Sequence, residues 1–220
     1  MKVSGLATIF AVFVLIVGSN QSSANFINGS FENGNYSFDA QGANSLGVGS
    51  TAITGWTTFG GELAVIQGTN SFGISSPFGD KFLDLTGYHD SSPYGGVQQS
   101  VGTVVGQSYL VSLYLGVNAT AGAPGPVSVV VSAGSSSATL TANPTGSGDL
   151  WTLETFSFVA NSTSTLVSIQ GDSTANGHYI GLDNVSIAGP SVVPEPASLV
   201  LFGIGLLGVI GRTRLRRGRA

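Results

Sequence analysis

Between residues 25 and 193 no stretch holds a helical period for three turns, and apolar residues come instead in short runs cut by Gly, Pro, Asn and Ser. Runs rich in β-branched or aromatic residues occupy 81–85, 109–115, 127–131, 151–159, 166–169 and 180–187. Weaker ones lie at 64–67, 97–101 and 138–141. Turn-forming clusters such as 119–126 and 142–149 separate them, the signature of short strands joined by tight connections. Many short strands without helices predict an all-β antiparallel β-sandwich. No internal repeat of 20–50 residues is present, which removes propellers and solenoids. The chain has no cysteine, so neither disulfides nor thiolate metal sites contribute. A single core must hold the fold, and a chain of 220 residues is long enough for one.

Charge narrows the partners. Charged residues make up 8% of the chain, against about 25% in ordinary soluble domains. Residues 25–193 hold ten acids and one base, Lys81, for a net charge of −9. Nucleic-acid binding rests on Lys and Arg neutralising phosphates, so nucleic acid is excluded as a partner. Neutral or cation-bridged glycans fit better. Catalysis has little support. There is no Gly-x-Ser-x-Gly elbow, no His-Glu-x-x-His and no phosphate loop. Two carboxylates suffice for a glycosidase, but Asp80, Asp84 and Glu154 form no recognisable constellation. The chain is therefore expected not to be an enzyme.

The two ends read as addresses. Lys2, an apolar stretch over 6–17 and Ser22-Ser23-Ala24 describe a secretory signal peptide over residues 1–24, cleaved between Ala24 and Asn25. At the other end Pro194-Glu195-Pro196 precedes an apolar helix over 197–211 and a basic tail over 212–220 carrying five arginines. An apolar run stopped by arginines leaves those arginines in the cytoplasm. Fifteen helical residues reach only ~22 Å at 1.5 Å each, short of the ~30 Å hydrocarbon core. That makes a marginal permanent anchor and a plausible handle for a membrane enzyme. The arrangement resembles the PEP-CTERM sorting signal of certain Gram-negative bacteria. The resemblance implies processing by an exosortase-type membrane enzyme, transient residence in the inner membrane through 197–211, and a final place at the cell surface or in an exopolysaccharide matrix, as in a biofilm.

Two acids need explaining. A period of two in Gly181-Leu-Asp-Asn-Val-Ser-Ile187 places Asp183 on the face of Val185 and Ile187. A core-facing carboxylate must be paired, hydrogen-bonded or bound to metal. Glu32, beside Phe31 near the mature N-terminus, could join Asp183 around a calcium ion if the first and last strands are neighbours. Spacing alone leaves open the alternative that backbone N–H groups satisfy both acids.

Fragments at 26–32, 53–56, 82–87, 95–99, 106–109, 151–158 and 182–185 follow in one order. Together they resemble the choice-of-anchor C family and related plant cell-wall proteins, a group similar to galactose-binding-like jelly rolls with many carbohydrate-binding modules. The resemblance implies such a jelly roll over 25–190, flanked by a signal helix and a short hydrophobic helix, the latter within the sorting segment 191–220. It also implies a structural calcium (Ca2+) at Glu32 and Asp183. Sugar faces stack on aromatics while short polar groups read their hydroxyls. The loop 87–95 offers Tyr88, His89, Asp90 and Tyr94 as carbohydrate-binding candidates. Trp56 and Phe59 form another candidate pair, although packing in the core is the expected role of Trp56 and Trp151. The reading is a non-catalytic carbohydrate-binding protein whose partner is extracellular polysaccharide. The alternatives are a purely structural or adhesive surface protein and, below that, a glycan-active enzyme.

Overall fold

The computed structural model describes residues 24–189. Residues 1–23 of the expected leader 1–24, the motif Pro194-Glu195-Pro196, the apolar run 197–211 expected as a helix and the basic tail lie outside the described residues. Eleven strands are formed: β1 (Ala43–Leu46), β2 (Thr57–Gly60), β3 (Leu63–Gln67), β4 (Lys81–Asp84), β5 (Gly95–Gly102), β6 (Ser108–Asn118), β7 (Val127–Ala133), β8 (Ser136–Ala142), β9 (Asp149–Val159), β10 (Ser164–Thr174) and β11 (Gly181–Ala188). A six-stranded sheet runs β1-β3-β4-β11-β6-β9 and a five-stranded sheet β2-β5-β10-β7-β8. Every strand pair is antiparallel. The expected antiparallel sandwich is what forms.

Alternation along the strands builds the core. On β6 the side chains of Val111, Leu113, Leu115 and Val117 are almost wholly buried, and period-two geometry sends them all to one face. They meet Val127, Val129 and Val131 of β7 and Val167 and Ile169 of β10 in one continuous cluster. The N-terminal segment seals one side of that cluster. Phe26 stacks on Trp56 at 5.1 Å between ring centroids, and Phe31 lies 5.6 Å from the same indole. Trp56 is thus a core residue, as expected.

The other face of the six-stranded sheet carries a second, smaller core. Ala43, Ala64, Ile66, Phe82 and Tyr179 pack there, with Trp151 half-buried against them. One row across this face reads Ala64, Asp84, Gly181, Gly116, Trp151. The two adjacent glycines let large rings lie against the sheet. A Cβ on Gly181 would stand 2.5 Å from the Tyr179 hydroxyl, and one on Gly116 would stand 2.7 Å from the Trp151 ring. The segment 68–80 straps across this layer, with the Trp151 indole donating to Ser75 O at 2.9 Å and Asn118 Nδ2 donating to Gly73 O at 3.1 Å.

A bulge corrects the expected facing of Asp183. The pairing of β11 with β6 shifts register between Asp183 and Ser186, and Asn184 takes a left-handed backbone at φ 49°. One extra residue reverses the alternation. Leu182 and Val185 both face the inner core, while Asp183 sits opposite Tyr114 on the strapped outer face. Asp183 therefore does not share a face with Val185 and Ile187, although it is fully buried.

Candidate functional site

A cleft of about 320 Å³ opens on the outer face of the six-stranded sheet. Its floor is Ala43 of β1, Ala64 and Ile66 of β3, and Asp84 at the end of β4. Its walls are Phe72 and Ile74 from the strap, Ala121 and Ala123 from the β6–β7 connection, and Tyr88 with Asp90 on one rim facing His178 on another. Small residues at the floor make the depression, because longer side chains there would fill it.

The loop after β4 supplies the polar groups. Asp84 Oδ1 accepts from Thr86 N at 3.0 Å, Thr86 Oγ1 at 2.9 Å and Ile180 N at 3.2 Å. Burial nevertheless pushes its carboxyl up to about 7, with the neighbouring Asp90 charge adding to the rise. The Thr86 hydroxyl also lies 3.2 Å from Asp90 Oδ1, so it bridges the two acids. Tyr88 is 44% exposed, and its hydroxyl donates to Asp39 Oδ2. Burial first, and then this acceptor, push the phenol up to about 12. The hydroxyl proton is therefore kept, and the ring is anchored at the cleft rim.

The four sequence-predicted sugar contacts separate. Tyr88 and Asp90 line the cleft. His89 points to Glu62, whose Oε1 also accepts from Tyr88 N at 3.0 Å. Against the raising effect of burial, those bonds and one from Ser45 hold the Glu62 carboxyl low. Tyr94 packs against the inner core instead, and its carbonyl accepts from Gly61 N and Gln170 Nε2. His178 and Tyr179 at the cleft were not singled out as sugar contacts. Their segment 175–179 offers no strand pattern, so only three-dimensional packing reveals them.

Glu32 and Asp183 do come to one neighbourhood. The segment carrying Glu32 is not a strand, yet Val185 N donates to Gly29 O at 2.8 Å, which lays it beside β11. Glu32 Oε1 accepts from Asp80 N and Lys81 N, both at 2.9 Å, and Oε2 lies 3.5 Å from Lys81 Nζ. Asp183 accepts from Ser76 Oγ and, at 2.6 Å, from Asn184 N. Burial, outweighing these bonds, pushes Asp183 up to about 7, and the Glu32 charge contributes. Among the described residues no group of three or more His, Asp or Glu converges to hold a metal ion.

Comparison with known proteins places the chain. A family model described as "Protein of unknown function (DUF642)" matches residues 24–188, the whole of the sandwich. The chain belongs to this family. A PEP-CTERM protein-sorting motif matches residues 192–217, the segment carrying Pro194, Glu195 and Pro196. Halomucin of Haloquadratum walsbyi (strain DSM 16790 / HBSQ001) is 34% identical over 191 residues, which is 82% of this chain. The chain spans only 2% of the length of that curated relative. Among solved structures, TmCBM61 in complex with beta-1,4-galactotriose is similar at 14% identity and a TM-score of 0.44, covering 76% of this chain and 99% of its own. A family 35 carbohydrate binding module from Clostridium thermocellum shows 11% identity and a TM-score of 0.43 over 66% of this chain and 97% of its own. The CBM22-1 xylan-binding domain of Paenibacillus barcinonensis Xyn10C shows 17% identity and a TM-score of 0.39 over 70% and 96%.

Proposed function

We propose that this protein is exported, sorted through its C-terminal segment by an exosortase-type enzyme, and binds extracellular polysaccharide without catalysis. The observation that carries the binding is the cleft itself. It joins a floor that is apolar except for Asp84, an exposed aromatic at the rim and a few convergent polar groups, the combination that holds a sugar ring by its C–H face and reads its hydroxyls. The sorting motif supports the destination: transient anchoring in the inner membrane, then the cell surface or matrix. The test is a glycan array on the full chain in detergent, followed by Tyr88→Ala. Retention on a glycan that weakens about tenfold in the variant, as for loss of a buried aromatic contact, supports the reading. A blank array overturns it in favour of a structural or adhesive role.

A structural calcium belongs to the same proposal. Glu32 and Asp183 would supply its carboxylate oxygens, with backbone carbonyls completing the six to eight ligands calcium takes. What favours it is a fully buried acid, Asp183, within the field of a second acid, Glu32, whose own cation is Lys81. Bound calcium would supply the opposing charge. A calcium-dependent rise in melting temperature, absent in Asp183→Asn, is the expected result; an equal melt in calcium and chelator overturns it.

A further inference from the structure

The sandwich covers its own edges along one side and leaves them open along the other. Thr58 of β2 is bonded by the segment before it, its N–H donating to Ser50 O at 3.0 Å and its carbonyl accepting from Gly49 N at 2.9 Å. On β1, Ala43 N donates to Asp39 Oδ1 at 3.0 Å and Ala43 O accepts from Asp39 N at 2.9 Å. Both of these edge strands are four residues long. The opposite edge of the larger sheet is β9. It is eleven residues long, pairs with β6 without a register shift, and contains no Pro, Lys or Arg. Among the described residues no main-chain partner other than β6 serves 151–159.

The hydrogen bonds at its ends say which groups are free. Ser108 stands opposite Val159, and Ala160 N donates to Gln107 O at 2.9 Å. Antiparallel ladders alternate bonded and non-bonded pairs, so even positions of β9 bond to β6. Positions 151, 153, 155, 157 and 159 therefore turn their N–H and C=O outward. The other end agrees. Asn118, opposite Asp149, turns both of its main-chain groups away from β9 to Ala123, at 2.7 Å each. A free row of this length is a template for another strand.

Charge decides what can use it. Residues 25–193 carry a net charge of −9, so two copies meet most readily where acids are absent. The outer face of β9 over 153–159 and of β6 over 108–112 holds no charged side chain, and Leu110, Leu153 and Val159 are exposed there. The strand β8, at the end of the smaller sheet, is seven residues long and presents Ser137, Thr139 and Thr141 outward. It offers less length and no apolar contact.

We propose that two copies of this chain pair through β9, antiparallel about a two-fold axis at Thr155, joining their six-stranded sheets into one. Leu153 lies opposite Ser157 of the partner subunit, and Trp151 lies opposite Val159 of the partner subunit. Glu154 sets this register. It alternates with Phe156 and Phe158, which face the inner core. An axis at residue 154 gives a longer overlap but sets the two Glu154 side chains directly opposite each other, and facing like charges destabilise a strand pair. One residue further on, Glu154 faces a phenylalanine and all five outward positions still pair. The result is about ten hydrogen bonds, as in a standard interface, from about nine residues a side where such an interface uses about 20–30. The dimer is accordingly weak, with Kd on the order of 10 μM. It does not depend on what the cleft binds.

The test is sedimentation of the full chain in density-matched detergent over about 1–100 μM, in ~0.15 M salt, where screening over about 8 Å mutes repulsion between acidic copies. Thr155→Pro removes an outward N–H that β6 does not use and is expected to weaken the dimer about tenfold or more. Thr155→Lys leaves the backbone as it is, sets two cations opposite each other, and weakens the dimer too. Thr139→Lys on β8 does not. Glu154→Gln tightens it about two- to fivefold. Because the chain has no cysteine, single cysteines report the register under a mild oxidant. Thr155→Cys cross-links, since directly opposite Cα atoms stand about 5.5 Å apart. Leu153→Cys does not, since its counterpart lies four positions along the facing strand, about 13 Å away. A monomer at every concentration overturns the proposal, as does a dimer indifferent to both Thr155 variants, which would place the contact on another face or on 197–211. Equal cross-linking at 153 and 155, or species larger than a dimer, overturns the two-fold register.

Discussion

Lys81 holds Glu32 twice across 49 positions of chain, with its backbone N–H donating to Oε1 at 2.9 Å and its Nζ 3.5 Å from Oε2. Asp80 N donates to the same Oε1 at 2.9 Å. The N-terminal segment is thereby tied to the start of β4 through main-chain donors that any residues at 80 and 81 other than proline would provide. The side-chain pair is a smaller part of the tie, since both partners retain solvent contact, at 20% and 27% exposure.

Glu32 variants separate the two contributions. Glu32→Ala strands two N–H groups and is expected to cost about 1–3 kcal/mol. Glu32→Gln keeps an acceptor oxygen for both donors and is expected to cost less than half of that. Lys81→Met removes the partly exposed pair with Glu32 and the pair with the exposed Asp80 carboxylate at 3.4 Å, each worth at most about 1 kcal/mol. Urea denaturation of the three variants checks the order; a Lys81→Met loss as large as that of Glu32→Ala would contradict it.

Asp84 and Asp183 set the pH dependence. Both carboxyls are pushed up to about 7 in the folded state, chiefly by burial, against about 3.9 in an unfolded chain. Between those values the folded state binds protons that the unfolded state releases, so stability falls as pH rises. The contribution is fully present below about pH 4 and is lost on the way to pH 7. Denaturant midpoints in chelator are expected to fall across that range, with an upper bound of about 4 kcal/mol per carboxyl. Asp183→Asn is expected to make the slope shallower. A stability that rises from pH 4 to 7 would contradict the assignment.

Most of the sandwich is visible in the residue pattern, because long strands with β-branched residues at alternate positions have one way to bury them. All nine runs named from sequence fall on strands. The two that escape, β1 and β2, are four residues each, Ala-Asn-Ser-Leu and Thr-Thr-Phe-Gly, and sit at sheet edges. Their pairing is dictated by β3 and β5 more than by their own preference. Asp183 shows the complementary limit. Its burial was legible, but its face was not, since a bulge at one Asn reverses everything before it. The cleft shows why a site is harder than a fold. Tyr88 and Asp90 were in view because they share one loop, whereas His178 and Tyr179 reach them only through sheet order.

Gly29 is a prediction about close approach. A Cβ at this position would fall inside the van der Waals radius of the Val185 carbonyl oxygen, a main-chain atom that cannot rotate away. The N-terminal segment must lie that close for Gly29 O to accept from Val185 N at 2.8 Å. Gly29→Ala is expected to cost about 1–3 kcal/mol, as overpacking does. Thermal melting checks it; an unchanged melt would mean that the segment does not dock against the β11 bulge.

Trp56 tests whether that segment is part of the core or a cover on it. The indole is 2% exposed, packs on Phe26 and Phe31 at 5.1 and 5.6 Å, and donates from Nε1 to Asn28 O at 3.0 Å. It therefore both fills volume and fixes the turn at Asn28, whose backbone is left-handed at φ 57°. Trp56→Ala is expected to cost about 3–5 kcal/mol from transfer and cavity together. Trp56→Phe keeps most of the stacking and removes one of two donors to the Asn28 carbonyl, which still accepts from Phe31 N at 3.1 Å, and is expected to cost about 0.5–1.5 kcal/mol, the net worth of one hydrogen bond. Hydrogen exchange distinguishes the two roles. If the segment is core, both variants speed exchange of Val185 N–H, which Gly29 O protects, together with amides of β6 and β10. If it is a cover, only the Val185 amide responds, and the loss of stability in Trp56→Ala falls to about 0.5 kcal/mol or less, the range of surface substitutions.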